Sequence, residues 1–342
     1  MSMFVFLGKR IALSIFALFG LSLLIFLIAR VLPGDPVRMA VGPRAPEWVA
    51  ENIREQMHLD KPVLVQYYYW VRGALQGDFG YSLYSRRAVS TDLKNFLPAT
   101  GELAIFTSLI IAGIGIPLGV LAGRYSNSWI DNLVRIFCYI SASTPSFVFA
   151  TLFLLLFSYV LHWFPIVGRI SLGVPRPPVV TGMITLDGLI SGNFTAFWNT
   201  LWHMVLPAVS LALPGMAQVA RITRSSIQDN LGKDYIAFER GFGIPDRLIM
   251  SKFLLKPSLI PPVSILGLEM AVTIGIAFLV ELIFNWPGFS RYGINAMLQK
   301  DLNAMSAVVM VIGVIFVIAN IFVDVAIAFL DPKIRLGAGR RA

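Results

Sequence analysis

Residues 305–330 read MSAVVMVIGVIFVIANIFVDVAIAFL, an apolar run in which Asp324 is the single charged side chain. A transmembrane α-helix needs about 20 consecutive apolar residues, so this run can cross a bilayer as one helix. Similar runs recur along the chain, and the sequence therefore predicts an all-α membrane protein with six spanning helices. The other predicted spans are residues 11–29, 103–122, 136–161, 201–220 and 259–284.

The composition of the whole chain agrees with this prediction. The 342 residues are 56% hydrophobic and 14% charged, whereas a soluble domain has roughly 25% charged residues. These values exclude a soluble enzyme, a disordered protein and a disulfide-rich secreted domain. A transmembrane β-barrel is also excluded, because its strands alternate in polarity instead of running continuously apolar.

The residue types used for catalysis and metal binding are scarce. Cys138 is the only cysteine, and His58, His162 and His203 are too scattered for metal-ligand spacing. The chain has no phosphate-binding G-x-x-x-x-G-K-[ST] loop, so any ATP chemistry has to come from another polypeptide. The sequence therefore predicts no catalytic residue, no metal site and no cofactor on this chain.

The basic residues predict the orientation of the spans. They account for a net charge of +9, but they lie between apolar runs and form no single patch for nucleic acid. Their distribution fits the excess of Lys and Arg on the cytoplasmic side of membrane proteins. Residues 221–258 alone hold seven of them, and the first span follows Lys9 and Arg10 without the cleavage site of a signal peptide. Both termini are therefore predicted to be cytoplasmic.

The predicted division of the chain follows from these spans. Residues 1–30 hold the N-terminus and first span, and residues 31–100 form a folded periplasmic segment. Residues 101–335 form the core, with an outer loop at 162–200, and residues 336–342 form a cytoplasmic tail. Prolines within the spans favour kinked helices packed around a path, although simple variation in helix shape explains them equally well. These prolines are Pro117, Pro145, Pro207, Pro214, Pro261 and Pro262.

A short helix is predicted in the loop between the fourth and fifth spans. Gly232 can end the preceding helix, Asp234 is a good N-cap for the short helix, and Gly243 is a good C-terminal stop. A helix of about two turns is not stable alone in water and must dock on something. It docks either on this chain's own helices or lipid headgroups, or in a groove of a cytoplasmic partner, and the residues alone leave both open. Its aromatic side chains share one face: Tyr235, Phe238 and Phe242.

The segment DYIAFERGFG at 234–243, followed by IPP at 260–262, resembles the cytoplasmic loop of permeases from binding-protein-dependent ABC importers. That loop has an EAA-xxx-G core and an I-x-L-P-like end, at the separation that Gly243 and Pro261 keep here. The likeness covers the whole chain and is close to the first, B-type subunit of the dipeptide/oligopeptide/nickel permease family. The further motifs are LPGDP at 32–36, LDKP at 59–62, GDFGYSL at 77–83, MVLPA at 204–208, RITRSS at 221–226, ELIFNWPGFSR at 281–291 and VDVAIAFLDPKIR at 323–335.

This resemblance implies the type I ABC importer permease fold and a transport subunit that is not an enzyme. It implies a second, related permease, two ATPase subunits that hold ATP and Mg²⁺, a periplasmic solute-binding protein, and a place in the bacterial inner membrane. The implied solutes are di- or oligopeptides, with nickel, opines, glutathione or oligosaccharides as alternatives. The implied ATPase-coupling residues are Asp234, Tyr235, Ala237, Phe238, Glu239, Arg240, Gly241, Phe242 and Gly243.

Acidic residues in apolar spans are candidates for lining a path, because a charge in a membrane usually faces a bundle interior or water. Glu269 lies deepest and is proposed to line the path with Pro145 and Glu281, although Glu281 also suits a structural role. Glu102 is predicted at the membrane interface. A proton-coupled secondary transporter would use Glu269 as a relay, which leaves that class as the alternative function. The segment after the first span is either a helix stop or an outer mouth formed by Pro33, Gly34, Asp35 and Pro36.

Overall fold

The computed structural model describes residues 3–31, 37, 46–56, 58–82 and 85–330. Within these residues the chain is mostly helical, with one two-stranded antiparallel hairpin. The predicted outer mouth at residues 33–36 and the predicted tail at residues 336–342 lie outside the described residues.

The described helices and strands follow one another in the order below, with the longest described connection at residues 161–183. In the first half they are α1 (Met3–Val31), α2 (Glu47–Gln56), α3 (Val63–Leu75), β1 (Tyr81–Ser82), β2 (Arg87–Ala88), α4 (Val89–Ile110), the π-helix Ile111–Gly115, α5 (Ile116–Arg124), α6 (Trp129–Ser143), α7 (Ser146–Phe153) and the π-helix Leu154–Val160. In the second half they are α8 (Ile184–Ile190), α9 (Phe194–Leu231), α10 (Asp234–Gly241), α11 (Asp246–Leu248), the π-helix Ile249–Leu254, α12 (Leu255–Ser258), α13 (Ile260–Ile276), α14 (Phe278–Ile283), α15 (Phe289–Leu298) and α16 (Leu302–Leu330).

The described residues contain between four and six helices able to cross a membrane, which confirms the predicted all-α membrane fold. The higher number counts each of two bent pairs as one span: Trp129–Ser143 with Ser146–Val160, bent by 101°, and Asp246–Ser258 with Ile260–Ile276, bent by 49°. The four continuous spans are Arg10–Ile28, Val89–Arg124, Phe194–Leu231 and Leu302–Ile327.

The predicted span at residues 136–161 is bent by 101° in the structure, and Pro145 lies at the bend. Proline pushes the preceding residue out of the α region, and Thr144 is extended with φ −106° and ψ 125°. Pro207 and Pro214, in contrast, lie inside the continuous helix α9. Pro117 lies within the continuous span Val89–Arg124, just after the π-helix Ile111–Gly115, whereas Pro261 and Pro262 are in the first turn of α13, where the missing N–H breaks no bond within that helix.

The segment between α1 and α4 packs against the rest of the chain through aromatic and polar contacts. The Tyr67 hydroxyl lies 2.7 Å from Ser22 Oγ on α1, and the Tyr67 ring meets the Phe26 ring with centroids 5.2 Å apart. The hairpin is tied to the start of α16, because Ser82 Oγ donates to the Asp301 carboxylate at 2.6 Å. The hairpin leads directly into α4, which therefore begins at Val89 and crosses the predicted boundary at residue 100.

Helix α9 is the centre of the fold. It packs against α4, α5, α6, α7, α8 and α13. Of its most apolar 18-residue stretch, 61% is buried inside the protein. The corresponding share is 17% for the N-terminal span and 22% for the C-terminal span. The two terminal helices therefore lie at the periphery of the described chain, with most of their apolar surface directed outwards.

A seam of glycines lets α5 approach α9 at backbone distance. A Cβ added at Gly119 would lie 2.5 Å from the Ala220 carbonyl oxygen and 2.5 Å from Thr223 Cβ. One turn later, a Cβ at Gly123 would lie 2.7 Å from Ile227 Cβ. Glycine or another small residue at every fourth position is how membrane helices pack closely. The sequence carries this spacing at Gly115, Gly119 and Gly123.

We expect Gly119→Ala to destabilise the protein by about 1–3 kcal/mol, because the added methyl group overpacks the α5–α9 seam. The matched control is Gly113→Ala in the same span, where an added Cβ would meet no described atom within 4 Å. Thermal unfolding of both variants in mild detergent measures the difference. Equal melting temperatures for Gly119→Ala and wild type would contradict the close-packing argument.

Candidate functional site

Helix α10 is the short loop helix predicted from the sequence, and its two ends are formed in different ways. Lys233, not Asp234, is the N-cap residue, with extended backbone (φ −85°, ψ 146°) and no capping side chain. The prediction that Asp234 is the N-cap is therefore corrected. Asp234 occupies the first turn of the helix, where its negative charge is favourable near the N-terminus. Gly243 ends the helix as predicted, since its φ of +73° suits glycine.

The C-terminal end of α10 is a Schellman motif. The Gly243 N–H donates to the Arg240 carbonyl at 2.9 Å, and the Ile244 N–H donates to the Glu239 carbonyl at 3.2 Å. These two bonds satisfy carbonyl groups that an α-helix leaves free at its end. The motif gives this short helix a defined end at Gly243.

The inner face of α10 is anchored on this chain by Ile236. Its side chain has 0% exposure and packs in a cluster with Ile227, Ile249 and Leu254, which we call the platform. The platform joins the end of α9 to the π-helix that follows α11. Sequence reasoning missed Ile236, because it followed the aromatic spacing, and the neighbours Tyr235 and Ala237 give Ile236 no distinct signal.

The outer face of α10 presents two phenylalanines. Phe238 is 63% exposed and Phe242 is 71% exposed, and their ring centroids lie 4.5 Å apart. Tyr235 shares the predicted face but is tied to α9, since its hydroxyl donates to Asn230 Oδ1 at 3.3 Å. Burial raises the pKa of the Tyr235 phenol above its ordinary value, which keeps that donor protonated. The helix thus docks on its own chain and leaves the Phe238–Phe242 pair free to contact a partner.

The polar residues of α10 add little to its docking. Arg240 Nε lies 3.4 Å from Asp246 Oδ1, but the two side chains are 54% and 68% exposed. An ion pair that exposed to solvent is worth at most about 1 kcal/mol. Glu239 is partly buried, and the other predicted coupling residues, Asp234, Ala237 and Gly241, lie exposed on the helix.

A buried carboxylate locks α6 to α9 near the loop. Asp131 has 0% exposure and accepts two hydrogen bonds from Arg224, from Nε at 2.6 Å and from Nη2 at 2.9 Å. It also accepts from Arg135 Nη2 at 2.8 Å and from the Asn127 N–H at 2.9 Å. A two-pronged guanidinium–carboxylate pair fixes orientation as well as distance. The sequence identified Arg224 only as one of the basic residues of 221–258, and it did not predict the pairing with Asp131.

Glu281 is enclosed by protein in this structure. Its side chain has 0% exposure, and its carboxylate accepts hydrogen bonds from Thr100 Oγ1 and from the Arg291 N–H. Gly288 is required beside it, because an added Cβ would lie 2.1 Å from Glu281 Oε1. This placement supports the structural role for Glu281.

Glu102 is enclosed by protein, and its position at the membrane interface stays a prediction. Its side chain is buried, forms an ion pair with Arg169, and accepts from the Thr185 N–H and Oγ1, each at 2.6 Å. The paired arginine and threonine come from the segment between α7 and α9. Burying the charge is possible because these partners replace the hydrogen bonds of water.

Glu269 and Pro145 lie apart from those carboxylate clusters. Glu269 on α13 is partly buried and lies against the backbone of α9, where a Cβ at Gly215 would be 2.8 Å from its Oε2. Among the described residues its carboxylate has no hydrogen-bond or ion-pair partner. Pro145 is exposed at the 101° bend. No group of three or more His, Cys, Asp or Glu side chains in the described ranges could hold a metal ion.

Comparison with known families gives two matches that together cover most of the chain. The family described as binding-protein-dependent transport system inner membrane component matches residues 115–336. A family for the N-terminal part of such membrane components matches residues 3–104.

Several characterised relatives are similar over nearly their full length. A probable D,D-dipeptide transport system permease protein of Escherichia coli K12 is 37% identical over 320 residues, which is 94% of each chain. A dipeptide transport system permease protein of Alkalihalophilus pseudofirmus is 33% identical, over 96% of this chain and 98% of the relative. A glutathione transport system permease protein of Escherichia coli K12 is 33% identical, over 96% and 97%.

We expect Ile236→Ala to detach α10 from the platform, since truncating a buried isoleucine costs about 2–5 kcal/mol. Phe238→Ala is the control, because that side chain is 63% exposed and supports little packing. Trypsin cleavage at Lys233 and Arg240 in the detergent-solubilised protein measures the detachment. Cleavage should be at least about ten-fold faster in Ile236→Ala and unchanged in Phe238→Ala. Equal rates in the two variants would show that Ile236 does not anchor the helix.

Proposed function

We propose a role in peptide uptake, from the premise that this chain belongs to the family of binding-protein-dependent transport system inner membrane components. The chain is accordingly a permease subunit of an ABC importer and not an enzyme. It has the type I ABC permease fold and is a multi-pass protein of the inner membrane. The family implies a substrate-binding protein and ATPase partners. Membership also removes the support for a proton-coupled secondary transporter.

The substrate that we propose is a di- or oligopeptide. The support is the chemistry named for three relatives, since D,D-dipeptides, dipeptides and glutathione are all short peptides. Nickel, opines and oligosaccharides remain competing solutes. Uptake of a radiolabelled dipeptide by proteoliposomes with the complete importer tests this proposal, and exclusive uptake of a non-peptide solute would overturn it.

The assembly that we propose contains this permease, a second related permease, two ATPase subunits and a periplasmic binding protein. ATP and Mg²⁺ bind to the ATPase subunits. The two permeases enclose the path and alternate between outward-open and inward-open arrangements, as in other two-state transitions of packed domains. Glu269 is the proposed path residue of this chain, because its carboxylate is partly exposed and unpaired among the described residues. Pro145 permits the 101° bend between α6 and α7. Residues 33–36 are the proposed landing site for the binding protein.

Helix α10 is the proposed link to the ATPase. The single observation that carries this proposal is its two-sided packing, with Ile236 held in the platform and the Phe238–Phe242 pair exposed. An apolar pair on a rigid short helix suits insertion into a groove of a partner. Movement of that groove then reaches α9 through the platform, with Asp131 and Arg224 holding α9 to α6.

We expect Phe242→Ala and Gly243→Glu to lower ATP hydrolysis stimulated by loaded binding protein at least about ten-fold. The first variant removes about 1.5–3 kcal/mol of apolar contact, and the second forces a side chain into the left-handed region. The control is Phe322→Ala, which removes a phenylalanine that is also 71% exposed but lies on α16. The measurement is phosphate release by the importer in proteoliposomes. Unchanged stimulation in Phe242→Ala would contradict the coupling role.

We expect α10 to face the cytoplasm and the segment between α7 and α9 to face the outside. In a Cys138→Ser background, a membrane-impermeant maleimide added to spheroplasts should label Leu172→Cys, where the native side chain is fully exposed. It should label Phe238→Cys only after the membrane is permeabilised. The opposite pattern would reverse the proposed orientation.

A further inference from the structure

A cavity of about 490 Å³ lies between the segment that precedes α9 and the segment around α15. Its volume is within the roughly 300–1,000 Å³ of small-molecule sites, and neither the coupling helix nor the path residues above line it. The lining residues that carry the argument are Phe96, Arg169, Arg176, Asn285, Arg291 and Tyr292.

The cavity is at the end of α9 opposite to the loop helix. The Ser171 N–H donates to Asn199 Oδ1 at 2.8 Å, and Asn193 Nδ2 donates to the Pro175 carbonyl at 2.9 Å. These bonds hold the cavity wall to the first turns of α9, whereas α10 follows its last turn. The 38 residues of α9 correspond to roughly 57 Å of helix, which is longer than a bilayer core. In the proposed orientation the cavity therefore opens on the outer side.

The cavity wall is cationic. It contains three arginines and neither aspartate nor glutamate. Arg169 is paired with Glu102, although its Nε is buried without an acceptor among the described residues. Arg176 is exposed and makes neither an ion pair nor a hydrogen bond with the described part of the chain. Two guanidinium groups, those of Arg176 and Arg291, thus lack a carboxylate partner on the cavity wall.

The remaining wall can hold the rest of a small amphiphilic molecule. The Phe96 and Tyr292 rings stack with centroids 5.2 Å apart and an interplanar angle of 17°, so the partly buried Phe96 gives this side of the cavity an apolar wall, with the buried Tyr292 packed against it. Asn285 accepts from Arg291 Nη1 at 2.6 Å, so its side chain holds that guanidinium in place. Guanidinium groups bind carboxylates in a fixed two-pronged geometry, while amides and aromatic rings suit a peptide backbone and side chain.

We propose that this cavity binds the carboxylate of a peptide-sized solute, with Arg176 and Arg291 as the groups that recognise the negative charge. The inference rests on the proposed function, because it takes the solute to be a peptide. It makes the permease a direct participant in solute recognition at the outer side. An acidic side chain of the binding protein offers the same carboxylate chemistry, and the experiment separates the two sources.

The test uses the permeases and ATPase subunits in nanodiscs without ATP. Binding of the peptide probes is measured without binding protein, and docking of loaded binding protein is measured in a separate titration. Binding of radiolabelled alanylalanine is compared with binding of its C-terminal amide, which lacks the carboxylate. Wild type should bind alanylalanine at least about ten-fold more tightly than the amide, and Arg176→Gln should remove most of that preference. The control is Lys94→Gln, which removes an exposed positive charge on α4 outside the cavity and should change neither value.

Three results would overturn the proposal. The first is equal binding of the two probes by wild type. The second is binding of alanylalanine by Arg176→Gln as tightly as by wild type. The third is an Arg176→Gln variant that weakens only the docking of loaded binding protein. The last result would assign the carboxylate to that protein. Uptake assays on the same variants in proteoliposomes, with ATP and binding protein present, distinguish this failure from failure of the proposed function. If the importer takes up peptides and Arg176→Gln binds alanylalanine as wild type does, only the cavity proposal is wrong. If binding depends on the carboxylate but peptides are not taken up, only the proposed function is wrong.

Discussion

The close approach of α5 to α9 is the constraint on which the rest of this fold depends. A Cβ at Gly119 would reach within 2.5 Å of the α9 backbone, so the two helices have no room for a side chain between them. In a bilayer the hydrophobic effect does not drive helices together, and close van der Waals packing takes its place. The glycine seam therefore holds α9 at the centre, and the other helices pack around it.

Buried charges then fix the neighbours of α9. Asp131 joins α6 to Arg224 of α9, Glu102 joins α4 to the segment before α9, and Glu281 joins α14 to Thr100 of α4. Each carboxylate is bonded to an element distant in sequence. Removing one partner of such a pair leaves an uncompensated buried charge, which is strongly destabilising. These pairs therefore specify which helix faces which, in a protein whose apolar surfaces are poorly selective.

Helix α9 also connects the two regions that we propose to be functional. Its first turns carry the wall of the arginine cavity, and its last turns carry part of the platform on which α10 docks. In the proposed coupling, a displacement of α10 would reach α9 through Ile236 and Ile227, both with 0% exposure. A well-packed interior transmits strain. The position of α9 thus gives a physical route by which movement at the ATPase side can reach the solute side.

The sequence by itself determined the membrane class, the apolar spans, the short loop helix and the family, because these depend on local composition, helical period and ordered motifs. It also placed the stop of the loop helix at Gly243, since a residue at φ +73° is best supplied by glycine.

Only the tertiary structure decided that Ile236 points into the platform, that Glu102 and Glu281 are buried with partners, and that Asp131 meets Arg224. It likewise decided which prolines break a helix, with Pro145 bending its span by 101° and Pro207 lying within a continuous helix. Those outcomes depend on contacts between residues far apart in the chain, and local pattern carries no information on which distant partner will satisfy a buried group.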